Sequence, residues 1–182
     1  MTTIHSNFNE RKAINAVLYI VTKLKRKDFH KIFKILYFAD REHLSEFGRP
    51  ISGDIYIAMD DGPVPSNIYD IFKAVRGDGY FKDVEGKFST IFKVADWDLI
   101  VPLEEPNLKT LSKTDMFHLD KALELYGDMT WEEVKDKSHD YAWEKTARNT
   151  PISFENMVRE AGNDDEYIDY LKEKSELNQL CR

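Results

Sequence analysis

Two Asp-x-x-His pairs are the first places to look for chemistry: Asp40 with His43, and Asp115 with His118. On a helix, residues three apart share a face. Carboxylate-x-x-His pairs of this kind help hold two metal ions in some four-helix bundles. Those bundles use the longer Glu and require two further carboxylates, which this sequence does not identify. The pairs define one alternative, a metal-dependent hydrolase using Asp40, His43, Asp115 and His118. The expected state is no metal, no cofactor and no catalytic residue. Ser138-His139-Asp140 sets three nucleophile-chemistry residue types side by side. Triads are assembled in space and not by adjacency, and no Gly-x-Ser-x-Gly elbow accompanies them. Asp140 reads more simply as the cap of the next helix. The glycines form neither a Gly-x-Gly-x-x-Gly turn nor a Walker loop. Cys181, the single cysteine, lies in a polar tail expected to fray, a poor place for a nucleophile.

The elements that would position these residues are mostly helices. Ile14, Val17, Leu18, Val21 and Leu24 recur at helical spacing. Asp28 can cap a second helix, whose stripe is Phe29, Ile32, Phe33, Leu36, Tyr37, Leu44 and Phe47. Asp40 falls on that apolar stripe. A buried carboxylate must be hydrogen-bonded or protonated, and the turning backbone of residues 51–64 is the expected donor. Gly48-Arg49-Pro50 stops the helix. Residues 54–59 alternate as a strand. Gly62-Pro63-Val64-Pro65 reads as a turn, with Pro65 at the first position of the next helix. Residues 80–94 carry a hairpin signal around Glu85-Gly86, with Phe88, Thr90, Phe92 and Val94 on one face. Residues 97–106 look extended and loop-like. Ser112-x-x-Asp115 and Thr130-x-x-Glu133 are capping boxes for helices near 113–126 and 131–138. Shorter helices are expected at 141–148, 153–161 and 164–177. Trp131 and Trp143 lie beside helix starts and read as core packing. The expected fold is α+β: a predominantly helical single domain over 1–171 with a small antiparallel sheet, and a polar tail at 172–182.

Composition narrows the function classes. The chain has 182 residues, 42% hydrophobic and 13% aromatic, enough for one well-formed core. No run approaches the length of a membrane span, and the N-terminus does not read as a signal peptide. With one cysteine there is no intrachain disulfide, and a reducing, cytoplasmic compartment is the expectation. The net charge of −7 argues against non-specific nucleic-acid binding. The one basic cluster, Lys23 to Lys27, sits at a helix end, where cations favour the dipole.

The stretch from Leu36 to Asp70 carries a specific resemblance. Leu36–Asp40 with His43-Leu44, Gly48–Asp54, Tyr56–Met59, Gly62–Ser66 and Tyr69-Asp70 resemble the opening pattern of the Panacea domain. This is the SocA-like antitoxin family, which includes phage-associated GepA-type proteins. Ser138-His139 followed by Trp143 resembles a second, looser family pattern. The matches extend over roughly residues 14–160. Asp60-Asp61 depart from the pattern, standing where many relatives carry an aromatic. The resemblance implies an antitoxin that neutralises a cognate protein toxin by binding it. Alternatives are an adaptor delivering the toxin to a protease, with the 172–182 tail as docking segment, or a phage protein with another partner. The partner-binding candidates are Asp40, His43, Arg49, Asp54, Tyr56, Asp60, Asp61, Pro63, Tyr69, His139 and Trp143. Asp54, Asp60 and Asp61, at the strand ends, are expected to reach solvent and face a basic partner.

Overall fold

A computed structural model describes residues 3–180. The central element is α2 (Phe29–Phe47), of whose 19 residues 14 are buried. A helix apolar on most of its circumference has to be covered on several sides. α1 (Glu10–Lys23), α4 (Lys113–Tyr126), α5 (Trp131–Ser138) and α7 (Phe154–Glu160) supply that cover. Asp28 caps α2 through the Lys31 N–H. Gly48 ends it at φ 71°, its N–H bonding Leu44 O at 2.8 Å. Ile32, Leu36 and Leu44 are completely buried, each stabilising the fold by about 2 kcal/mol. Phe47 departs from the expected stripe, with 37% of its surface exposed.

The fold is α+β with two small antiparallel hairpins. In the first, β1 (Tyr56–Met59) pairs with β2 (Gly62–Pro65), leaving Asp60-Asp61 at the tip. The Gly-Pro-Val-Pro segment is thus a strand and not a turn, and Pro65 is the N-cap of α3 (Ser66–Arg76) instead of its first residue. Prolines are tolerated in β2 because their missing N–H groups are not needed for the pairing. Residues 149–152 bind the other edge of β1: Ala58 N donates to Thr150 O at 3.0 Å, and Ile152 N to Tyr56 O at 2.8 Å.

The second hairpin lies further along the chain than its sequence signal. β3 (Phe92–Ala95) pairs with β4 (Leu99–Pro102), so the turn is at 96–98 and not at Glu85-Gly86. The Asp83 carboxylate accepts from the N–H groups of Phe88 and Ser89 at 2.8 and 2.9 Å, curling 83–91 into successive turns. That local alternative removes the backbone donors a strand would use.

Both capping boxes form, at the starts of α4 and α5. α6 (Tyr141–Glu144) is short and capped by Asp140. α8 covers Asp165–Leu180 and buries Leu171 and Ser175. Cys181 lies outside the described residues. Among those described, no helix is long and apolar enough to cross a membrane.

Candidate functional site

The motif residues divide into an interior set and a surface set. Asp40, fully buried on α2, accepts four hydrogen bonds. Its Oδ1 takes the N–H groups of Ile51 and Ser52 at 2.7 and 3.0 Å. Its Oδ2 takes the Ser52 hydroxyl and the Tyr56 hydroxyl, the latter at 2.8 Å. Burial pushes the Asp40 carboxyl up, and the bonds from Ser52, Tyr56 and Ile51 oppose that shift. Asp54 is buried too, against the expectation that it reaches solvent. It accepts from Asn67 N at 3.0 Å, Asn67 Nδ2 at 2.8 Å and Ile68 N at 2.9 Å. These include free N–H groups of the first turn of α3, whose own N-cap, Pro65, has no side-chain acceptor. Asp40 and Asp54 therefore fix the loop between α2 and α3 from both ends, with Ser52 Oγ bridging them.

The two Asp-x-x-His pairs do not combine as four ligands. His43 turns away from Asp40. Its Nδ1 donates to Arg49 O at 2.8 Å, and its Nε2 lies 3.0 Å from Thr114 Oγ1 and 3.2 Å from Asp115 Oδ1. Asp115 also bonds Lys12 at 2.6 Å, Arg49 at 3.1 Å and the Ser112 N–H at 2.7 Å. Burial raises its carboxyl, but the bonds from His43, Lys12 and Ser112 prevail and hold it well below the usual range. His118 faces His43 with ring centroids 5.3 Å apart, and its Nε2 is 3.1 Å from Glu46. Among the described residues, no group of three or more His, Cys, Asp or Glu is placed to hold a metal. The hydrolase alternative lacks its ligand set, because Asp40 is committed to Ser52 and Tyr56.

The surface set gathers at the β1–β2 tip. Met59 O accepts from Trp143 Nε1 at 2.9 Å and Arg148 Nη1 at 3.2 Å. Trp143 is sandwiched between the His139 ring, 3.6 Å away and nearly parallel, and the Arg148 guanidinium at 3.9 Å. Asp61 bonds Lys135 at 2.7 Å, which with that hydrogen bond lowers its pKa. Its carbonyl receives His30 Nε2 at 3.2 Å. His30 stacks on Trp131 at 4.4 Å and is pushed down to about 4 by burial and by nearby Lys34. Lys34, buried on α2, donates to Pro63 O at 3.0 Å. Burial lowers it to about 7. A Cβ on Gly62 would stand 2.4 Å from Ser138 Oγ and 2.9 Å from Lys34 Cε, so only glycine fits there at φ +96°.

Beside the tip lies a cleft of about 440 Å³. Phe29, Phe33 and Val64 give it an apolar lining, Tyr69 adds an edge, and Asp60, Asp61 and Trp97 also border it. The Asp60 side chain is 91% exposed, with Arg148 3.4 Å away, and that of Asp61 is 55% exposed. Trp97 is 68% exposed, held at φ +73° with Arg76 stacked 4.2 Å from its ring. Trp97, His30, Lys34, Lys135 and Arg148 join this region without a motif in the sequence that marks them. Lys31 and Lys34 lie off the apolar stripe of α2 that holds Asp40, on the side a helical projection turns towards solvent, so their burial is decided by the elements packed there. Lys31 donates to the Tyr126 and Met129 carbonyls at the end of α4. Trp97 and Arg148 carry no local signal either, as their partners are distant in sequence.

No curated protein and no solved structure matches the chain significantly. A family model described as "Antitoxin SocA-like, Panacea domain" matches residues 32–144. That span runs from within α2 to the end of α6 and includes Asp40, Asp54, the hairpin tip, His139 and Trp143. The family is a non-catalytic antitoxin domain. With more than half of its length matched, the chain belongs to the SocA-like antitoxin family, the Panacea domain.

Proposed function

We propose that this antitoxin neutralises a cognate protein toxin by binding it directly, in the cytoplasm, through the β1–β2 tip and the adjoining cleft. The observation that carries the reading is the exposed Asp60-Asp61 pair beside an aromatic-lined cleft bordered by exposed Trp97. Exposed tryptophan is a frequent anchor of protein interfaces. The carboxylates favour a basic partner and raise its encounter rate. Met59 O and Pro63 O are pinned by Trp143, Arg148 and Lys34, so the tip has little ordering entropy left to lose on binding. Neither a cofactor, a membrane nor nucleic acid enters this reading.

The test is the double charge swap Asp60→Lys/Asp61→Lys against the product of the adjacent open reading frame. Folding is followed by circular dichroism, binding by titration at low salt, and neutralisation by growth of cells expressing the toxin. The expected variant is folded, binds more weakly and protects poorly. A folded variant with undiminished affinity and full protection would place the partner surface elsewhere.

A further inference from the structure

A second concave region shares no lining residue with the cleft. A pocket of about 470 Å³ opens between residues 5–9, the Gly48–Gly53 loop and α8, with Lys12, Arg49 and Lys174 in its wall. A neighbouring hollow of about 240 Å³ shares Asn9 and Lys12 with it and adds Arg11 and Lys109. No Asp or Glu lines either one. Five cations without a lining carboxylate are unexpected in a chain with 33 acidic and 26 basic residues.

One carboxylate stands behind the wall. Asp115 is fully buried and bonds both Lys12 and Arg49, so a single negative charge faces two cations and His43. The bonds of Arg49 to Asp115 and Pro50 O both use Nη1. Its Nε and Nη2 have no protein partner among the described residues, and neither Arg11, Lys109 nor Lys174 is paired with a carboxylate among them. Glu10, the nearest acid on α1, pairs with Lys87 at 2.5 Å. Asn9 caps α1 at the shared wall, so the positive end of that helix adds to the excess.

We propose that the paired hollows bind a compact polyanion of the phosphate class, a chain of two or more phosphoryl groups. The free edge of Arg49 matches the geometry of phosphate oxygens, and the lysines act as point charges along the chain. Ser6, Asn7 and Thr110 add neutral hydrogen-bonding groups. The larger pocket alone has the volume of a small-ligand site. His5 is the single aromatic ring in the lining and no Phe, Tyr or Trp joins it, so successive bases of a single-stranded nucleic acid have no row of rings to stack on. Several charges within a short length also suit the excess better than one carboxylate does. The Gly48–Gly53 wall is held by Asp40, so the site exists before the ligand arrives.

The test is calorimetric titration of the full chain with sodium tripolyphosphate in about 0.1 M salt, where charges beyond about 10 Å are largely screened. ATP and a polyglutamate peptide are parallel arms. The variant Arg11→Gln/Lys109→Gln/Lys174→Gln removes three cations that do not touch Asp115, and its circular dichroism and melting temperature should match the parent. Saturable binding of tripolyphosphate is expected, weakened about tenfold or more in the variant, which is 1.4 kcal/mol over three contacts. Equal affinity for ATP identifies the phosphate chain as what is recognised, and tighter ATP binding identifies a nucleotide. The proposal is overturned by absence of saturable binding, by a variant that binds as the parent does, or by polyglutamate binding more tightly than tripolyphosphate.

Discussion

Asp54 and Asp60 are six residues apart, at the two ends of one short strand, yet their environments are opposite. Asp54, like Asp40, is enclosed and saturated with backbone N–H groups. Asp60 and Asp61 project from the tip, each beside one long, partly exposed cation. An enclosed carboxylate leaves several donors unsatisfied when it is removed, because no water replaces it. An exposed ion pair is solvated either way and contributes little to stability. The interior carboxylates therefore hold the loop, while those at the tip are not needed for it.

The sharpest way to break the comparison is Asp40→Ala. It orphans two backbone N–H groups and two hydroxyls, and should cost about 3 kcal/mol in chemical denaturation. A loss no larger than that of a surface substitution would mean that something else holds the loop. Lys34 gives the next largest effect. Its pKa is about 7 when folded against an ordinary 10.5, so between these values the unfolded chain binds more protons. Stability should rise with pH from 7 to 9 by about 2 kcal/mol from this group alone. Lys34→Met should lose that rise, which unfolding curves at the two pH values will reveal. His30 acts in the acid range with the same sign. Folded near 4 and ordinarily 6.5, it should make stability fall as pH drops from 6.5 through 4, a decline that His30→Gln should flatten.

Changes on the exposed side should affect binding more than folding. Trp97→Ala should leave stability within about 0.5 kcal/mol while weakening toxin affinity about tenfold, read by titration and melting in parallel. Asp60→Lys/Asp61→Lys should likewise cost little stability, under about 1 kcal/mol in the same melting assay. A destabilisation as large as that of Asp40→Ala would erase the distinction between the two ends of the strand.

Local order set much of this molecule. Helical spacing located α1, α2, α4 and α5, and the two capping boxes marked starts that the structure reproduces. These features are legible because their partners lie within four residues. Asp40 was legible as a polar residue on an apolar stripe, and its donors within 51–64 were close enough to anticipate. Tertiary structure decided the rest. The alternation in 87–94 suggested a hairpin at Glu85-Gly86, yet Asp83 captured the local N–H groups and Phe92–Ala95 paired with Leu99–Pro102 instead. Two Asp-x-x-His pairs look alike in the sequence, but long-range packing sends Asp40 to Tyr56 and His43 to Asp115. Lys135 and Arg148 meet the first hairpin from 74 and 89 residues away, and Trp97 borders its cleft from the turn of the second hairpin. Spacing along a chain specifies which residues share a face of one helix or strand. Which of those faces meet, and which carboxylate keeps its water, depends on contacts that exist only after the chain has closed around α2.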